Sequence, residues 1–317
     1  MPEPGLGDVH VDAALTDFSV AYFQDPANFA ARQFSPTVPV SKQSDKYFVY
    51  DKEHTLRTDA KERAPGTRAP VRDHQLSTDS YFCNVKSIAE AVSEQVRANA
   101  DPAIDLEEDA ARVCADDIKM RIEVDFATAA FATSIWATDV VGTTDFTKWS
   151  NAASTPLEDI ATGVETVEAA TGKTPNRMVI GAAVWRHLKN HPDVIARISN
   201  DTTRIGTQAL LAQLVGVDQV IVSKAIRNTA DEGATAAYSR ILGSNALLAF
   251  VDPNAGLKST TAMKTFVWSG LIGSSDGVRT KRHEIPWEDA MPLVETDASY
   301  DFKVTGSDLG YFFSAAI

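Results

Sequence analysis

The sequence predicts an α+β protein of about two lobes, and three observations carry that prediction. Residues Asp105 to Thr133 hold a helical apolar rhythm for about seven turns. Residues 155–252 alternate helix-like and strand-like patterns, and strand-like runs flank both stretches. A chain of 317 residues with 44% hydrophobic content exceeds the usual length of one compact domain. Its formal net charge of −13 argues against a protein whose main task is gripping nucleic-acid phosphates, which needs a concentrated cationic surface.

Residues 1–45 have the composition of an arm. A Pro/Gly-rich start leads to "DAALTDFSVAYF", where Leu15, Phe18 and Tyr22 recur at helical spacing, and then to "FSPTVPVSKQSD", broken by Pro36 and Pro39. One short helix on a tether has too small an apolar face to fold alone, so it docks either on its own core or on a neighbouring subunit. The opening "MPEPGLGDVHVDAALTDF" lacks a basic stretch followed by an apolar run, and no segment has enough consecutive apolar residues to span a bilayer. The expectation is a protein made in the cytoplasm, without membrane contact.

Residues 46–82 read as a long two-stranded excursion. "KYFVY" and "STDSYF" are strand-like, and between them lies "KERAPGTRAPVRDHQL", basic, proline-broken and poor in apolar residues. At about 3.3 Å per residue, two limbs of about 18 residues could reach roughly 60 Å, against a radius of gyration of about 19 Å for a globule of this size. Lys61, Arg63, Arg68 and Arg72 lack interleaved aromatics that would stack bases, so an acidic protein surface suits them better than nucleic acid. The protein's own surface is acidic.

"SIAEAVSEQVRANA" predicts a helix, with Ile88, Val92 and Val96 four apart and Asp101-Pro102 ending it. Asp105 then caps the long helix, with Glu108 placed for a capping box. Leu106, Ala110, Val113/Cys114, Ile118, Ile122, Phe126 and Ala129/Ala130 form its apolar stripe; Glu107, Arg112, Asp116, Lys119 and Glu123 fall on the opposite, solvated face. After the turn-rich "TTDFTKWSNAASTP", Thr155-Pro156-Leu157-Glu158 is a second capping box, opening a helix that stops at Gly172. "RMVIG", "DQVIVSKA" and "NALLAFVD" are strands. A helix from Ala182 is broken by Pro192 and resumes toward Ile198, and "TQALLAQLVG" is helical. "KTFVW", "GVRTKRHEI" and "SYDFKVTGSDLGYFFSAAI" are late strands suited to antiparallel pairing beneath the long helix.

No motif in the chain predicts a catalytic, cofactor or metal site. Gly273-Ser274-Ser275-Asp276-Gly277 matches G-x-S-x-G, but a hydrolase elbow needs strand, turn, then helix, and "VRTKRHEI" follows as a strand. His187 and His191 stand four apart, as two zinc ligands would; Leu188 replaces the glutamate of H-E-x-x-H, Pro192 closes the helix, and no third ligand is signalled. They read as surface or capping histidines. Cys83 and Cys114 have neither metal-type nor disulfide-scaffold spacing and read as reduced and partly buried.

The order of parts resembles the HK97-type major capsid proteins of tailed bacteriophages. It runs from an N-terminal arm (1–45) through an extended two-stranded loop (46–82) to a peripheral domain with a spine helix (83–154). An axial α/β domain (155–252) and a return to peripheral strands (253–317) complete it. "RAPG", the spine helix, "NRMVIGAAVWRHLKNHPDVIARI", "KTFVWSG" and "YDFKVTGSDLGYFFSAAI" carry the resemblance by their order and spacing. Encapsulin nanocompartment shells share this fold, and the resemblance alone does not separate the two; a serine hydrolase is the alternative from another class. The resemblance implies a self-assembling shell subunit of a virion, forming pentamers and hexamers about double-stranded DNA. It also implies no cofactor, with separate scaffold, portal and decoration proteins as partners. The arm (Leu15, Phe18, Tyr22) and the loop (Lys61, Arg63, Arg68, Arg72) would lie across neighbouring copies. The chain starts almost at the arm, so a scaffold is expected to be separate or already removed. Lys52 and Lys61 lie in the loop, but nothing matches the partner asparagine and acid of the family members that cross-link.

Overall fold

The computed structural model describes residues 24–50, 52–69, 71, 76–93, 95, 106–198, 207–231, 233–285 and 291–317. In chain order the strands are β1 (Thr37–Val40), β2 (Ser44–Tyr50), β3 (Leu76–Phe82), β4 (Asn84–Ala91), β5 (Thr138–Val141), β6 (Arg177–Gly181) and β7 (Gln219–Ser223). Then come β8 (Ile226–Asn228), β9 (Tyr238–Arg240), β10 (Ala246–Ala249), β11 (Met263–Trp268), β12 (Val278–Ile285), β13 (Met291–Val304) and β14 (Gly310–Ser314). The helices are α1 (Ala31–Phe34), α2 (Lys52–Thr55), α3 (Leu106–Ala130), α4 (Pro156–Thr171), α5 (Ala182–Lys189), α6 (Pro192–Ile198), α7 (Gln208–Val215) and α8 (Ser269–Ile272).

Two sheets divide the strands. In the first, β13 is the centre: β12 and β11 pair antiparallel with successive parts of it, β4 pairs antiparallel as well, and β1 lies parallel on β11. The second sheet has the order β5-β14-β10-β6-β7. Side chains alternate across a strand, and here both faces of the second sheet are buried. Phe312, Leu247, Val179 and Ile221 face the core beneath α3, while Phe313, Leu248, Met178 and Val220 face a core covered by α4 to α7. Gly163 lets α4 approach that sheet closely, since a Cβ there would stand 3.2 Å from the Tyr311 ring.

Helix α3 follows its predicted stripe: Ala110, Cys114, Ile118, Ile122, Phe126 and Ala130 are buried. Phe126, fully buried, packs against the rings of Phe34, Phe131 and Phe302 at 5.6–5.8 Å and contributes about 2 kcal/mol by burial. Its predicted polar face is not uniformly solvated. Glu107 pairs with Arg282 at 3.2 Å near the surface, but Asp116 is buried and Glu123 completely so. The Glu123 carboxylate accepts from the N–H groups of Ala30 and Ala31 (2.8–3.0 Å), at the start of α1, and from the Ser223 hydroxyl on β7 (2.8 Å). A buried carboxylate is tolerated where each oxygen is bonded. Helical periodicity places this residue correctly but does not show that another segment covers it.

Four other expectations are corrected. Residues 84–91 form strand β4 rather than a helix: eight residues pair with Leu293–Tyr300, and that non-local pairing outweighs the helix preference of Ala and Glu. The remainder of that expected helix, and the Asp105 cap, lie outside or almost wholly outside the described residues. The arm segment expected to be broken by prolines contains β1, and Pro39 is accommodated because β1 is an edge strand. Thr155 opens α4 without a side-chain cap; its carbonyl accepts from Glu158 and Asp159, and Leu157 N–H reaches Asp193 Oδ2 at 3.4 Å. Finally, β14 joins the second sheet beside β10 and β5, so the chain's last strand does not return to the peripheral set.

Glu123→Ala, which strands two buried N–H groups, is expected to cost about 2–4 kcal/mol. Glu123→Gln keeps an acceptor for both amides and can donate to Ser223 Oγ, whose own proton then turns to Asn28 O at 3.2 Å; it is expected to cost less than about 1 kcal/mol. Burial raises the Glu123 pKa against the pull of its bonds from Ala30, Ala31 and Ser223. Its contribution is therefore complete below the unfolded pKa and shrinks as pH rises through the folded one. Urea unfolding of the unassembled subunit at about pH 4 and about pH 8 should show the larger alanine penalty in acid.

Candidate assembly surfaces

Strands β2 and β3 form the two-stranded excursion, in register from Ser44↔Phe82 to Tyr50↔Leu76. One face docks on the body. Tyr47 and Tyr81 are buried against Phe266 of β11, with ring centroids 5.4 and 4.6 Å away. Tyr47 OH donates to Asp79 Oδ2 at 2.8 Å, and Phe82 N–H donates to Asp301 Oδ2 at 3.0 Å. Burial, then the bond to Asp79, raises the Tyr47 pKa, so its hydroxyl stays protonated. Cys83, buried beside the same cluster, has its thiol pushed up to about 12 by burial and is chemically quiet. Cys114 is buried too, and both thiols are free.

Among the described residues the other face of the hairpin has no cover. Phe48 is 64% exposed and Phe82 51%. Beyond it, after Lys52 pairs with Asp308 at 2.7 Å, the chain from Leu56 to Ala69 is exposed at every residue but Asp59. Ala64-Pro65-Gly66-Thr67 is a turn: Thr67 N–H reaches Ala64 O at 3.2 Å, and Gly66 has φ +82°. Proline second and a left-handed glycine third is the type II pattern. Arg63 and Arg68 flank this turn directly, and Lys61 lies just before it, all exposed. Among the described residues none of the three has an ion-pair partner. Arg72 lies outside the described residues, as do Leu15, Phe18 and Tyr22.

A second exposed element is a short hairpin absent from the sequence expectations above. Among the described residues, strands β8 and β9 pair only with each other, and all six residues are exposed, Tyr238 at 73%. The short β-branched and aromatic runs "AIRN" and "AAYSR" around "DEG" are the available hairpin cue. Gln24 brackets β8 as a strand partner would: its side chain donates to Ile226 O (2.7 Å) and accepts from Ile226 N–H (3.0 Å).

The two chemical motifs do not assemble into sites. Ser275 is exposed in a loop between α8 and β12, so no helix follows it to place a nucleophile. His191 is buried: its Nδ1 accepts from Asp193 N–H at 3.2 Å, so its proton resides on Nε2, which faces Asn151 O and Ser154 Oγ, each at 3.0 Å. An Nε2 already protonated does not take the Ser154 proton. His187 sits apart beside Arg186. Among the described residues no cluster of three metal-ligating side chains occurs, and no helix is long and apolar enough to cross a membrane.

A docked hairpin running out to an exposed turn, a long helix over one sheet, and a second sheet buried on both faces together make the HK97-type capsid fold. The family described as phage major capsid protein E matches residues 137–278, a span that begins one residue before β5. The major capsid protein of Burkholderia phage BcepMu is 27% identical over 307 residues, covering 96% of each chain. A solved phage-related protein from Bordetella bronchiseptica RB50 superimposes with a TM-score of 0.71 at 19% identity, covering 96% of this chain and 97% of that one. The mature capsid of bacteriophage PhiM1 does so with a TM-score of 0.59 at 12% identity, over 93% and 88%. All of these similarities are to phage capsid or phage-related proteins, and the fold they share with this chain is the HK97 type.

Trypsin added to unassembled subunits is expected to cut first after Lys61, Arg63 or Arg68, because exposed loop tips are cleaved ahead of packed elements. Mass spectrometry of the first fragments checks this. A first cut after the half-buried Arg177 would contradict the exposure assigned to the loop.

Proposed function

We infer that this protein is the major capsid protein of a phage, a structural subunit that self-assembles into the head shell and is a component of the virion. The similarity over 96% of both chains to a phage major capsid protein carries this reading. The exposed turn fits it physically. Between Leu56 and Ala69 there are four basic and two acidic residues, while the chain as a whole carries −13. A cationic tip on an acidic protein finds its natural partner in another copy of the same chain. Modest contacts multiply when every subunit repeats them in a closed shell.

The finer features of the reading are these. Copies gather as pentamers and hexamers about residues 155–252, with the loop, through Lys61, Arg63, Arg68 and Arg72, and the N-terminal arm, through Leu15, Phe18 and Tyr22, reaching neighbours. Assembly takes place in the host cytoplasm with separate scaffold and portal proteins, and the shell encloses double-stranded DNA without sequence-specific contacts. The role is structural rather than enzymatic, in keeping with the exposed position of Ser275 and the protonated Nε2 of His191.

Negative-stain microscopy of the expressed protein is expected to show shells, tubes or capsomers; a compact monomer with and without a scaffold would overturn the reading. Changing Arg63, Arg68 and Arg72 together to Glu is expected to leave circular dichroism unchanged and to abolish shells. Loss of folding in that variant would instead place the stretch in the subunit's own core.

A further inference from the structure

A cavity of about 340 Å³ opens between the last turn of α5 and the loop that leads into α4. Trp149, Ser150 and Ala152 line one side, and Arg186, His187 and Asn190 line the other. Trp149 is firmly held: its backbone N–H donates to Ala316 O at 2.8 Å, its Nε1 donates to Asp159 Oδ2 at 2.9 Å, and its ring packs 5.1 Å from Phe313 of β14. Arg186 is exposed and donates to His187 Nε2 at 3.3 Å. His191 and Pro192 complete the lining, so the wall holds one fixed positive charge and no carboxylate. Two acids nearby, Asp159 and Asp193, are turned to Trp149 Nε1 and Leu157 N–H instead.

The β8–β9 hairpin carries the complementary charge. Asn228 Oδ1 accepts from the N–H groups of Ala230 and Ala237 at 3.1 and 2.9 Å, and Thr229 N–H donates to Ala237 O at 2.8 Å, which closes the base of the connecting loop. The loop holds Asp231, exposed, then Glu232 and Gly233, the last with φ +83°; its other residues from Ala230 to Ala237 are alanine and threonine. The tip is therefore slender and acidic, with Arg227 and Arg240 behind it on the strands. Hairpin and cavity stand at opposite sides of the second sheet. The hairpin leaves the end of edge strand β7 and is tied through Gln24 to the segment beside α3. The cavity lies beside β14, on the face covered by α4 to α7. Three strand spacings, about 14 Å, and the sheet itself separate a subunit's tip from its own cavity. We propose that the Asp231–Glu232 tip of one copy enters the Arg186 cavity of a second copy, where the forked guanidinium donors meet a carboxylate. The docking rests on the shell-forming reading above and assigns one contact within it. Tip and cavity are different surfaces, so the contact is heterologous, and repeated by rotation it closes into a ring.

Disulfide trapping tests it. Subunits carrying both Asp231→Cys and Asn190→Cys are assembled and oxidised; Cys83 and Cys114, 0% and 1% exposed, are too buried to compete. Each copy links to two neighbours, so a ladder running beyond the dimer on a non-reducing gel is expected, and none with either substitution alone. Ala234→Cys with Asn190→Cys keeps both tip carboxylates and repeats the test should loss of Asp231 prevent assembly. A band that stops at the dimer, or shells without any interchain link at either pair, overturns the docking and leaves the shell reading standing. A link formed within one chain in dilute monomer overturns it as well. Charge exchange gives a second readout. Arg186→Glu is expected to abolish shells with circular dichroism unchanged, and adding Asp231→Arg and Glu232→Arg to the same chain is expected to restore them. Shells unaffected by Arg186→Glu, or not restored by the exchange, overturn the docking. An unaltered protein that forms no shells removes the shell reading, and the docking falls with it.

Discussion

The fold depends on a single buried carboxylate beneath a long helix. Glu123 sits on α3, faces inward, and holds both the amide N–H groups that open α1 and the hydroxyl of Ser223 on β7. Three segments far apart in sequence converge on two oxygen atoms. Without that group the two buried amides that open α1 would have no acceptor on the helix, and the segment would keep only the longer contact of Gln24 N–H with Asp116. A second carboxylate does similar work across the first sheet. Asp297, almost fully buried on β13, gathers Arg279 and Lys281 from β12 and Ser87 from β4. Burial alone would raise its pKa, yet the bonds from Lys281, Ser87 and Arg279 hold it well below the usual carboxylate range.

Around these ties the molecule sorts its surface into what one chain satisfies and what it leaves open. Tyr47 and Tyr81 find Phe266, but Phe48 and Phe82 on the opposite face of the same hairpin stay largely exposed among the described residues. The charged tip around Pro65 and Gly66 is excluded from every core. A two-stranded ribbon is marginal by itself; one face of this one is secured by the body and the other stays exposed. The β8–β9 hairpin repeats the pattern on a smaller scale. A protein that works alone would gain nothing from such open faces, whereas a shell subunit gains contacts in proportion to the number of copies.

Much of this was legible in the chain. The α3 stripe, the turn at Ala64–Thr67, the left-handed glycine ending α4 and the break at Pro192 each follow from local chemistry that a sequence displays. The misreadings share one cause. Residues 84–91 look helical because Ala, Glu and a four-residue spacing are local cues, while their pairing with β13 is contributed by residues about two hundred positions later. Glu123 looks solvated for the same reason, since the chain that buries it comes from Ala30, Ala31 and Ser223.

By itself, then, the sequence determined the periodic elements, the basic and core-poor character of the extended loop, and the order of parts that marks a shell protein. Those properties reside in neighbouring residues, where sterics and side-chain spacing act directly. Only the tertiary structure decided that β14 crosses to the second sheet and that residues 84–91 extend. It alone also decided that an acidic residue lies at the centre. Each of these is set by free energy that exists only once distant segments meet, through ladder hydrogen bonds, shared burial and a desolvated charge satisfied from three directions.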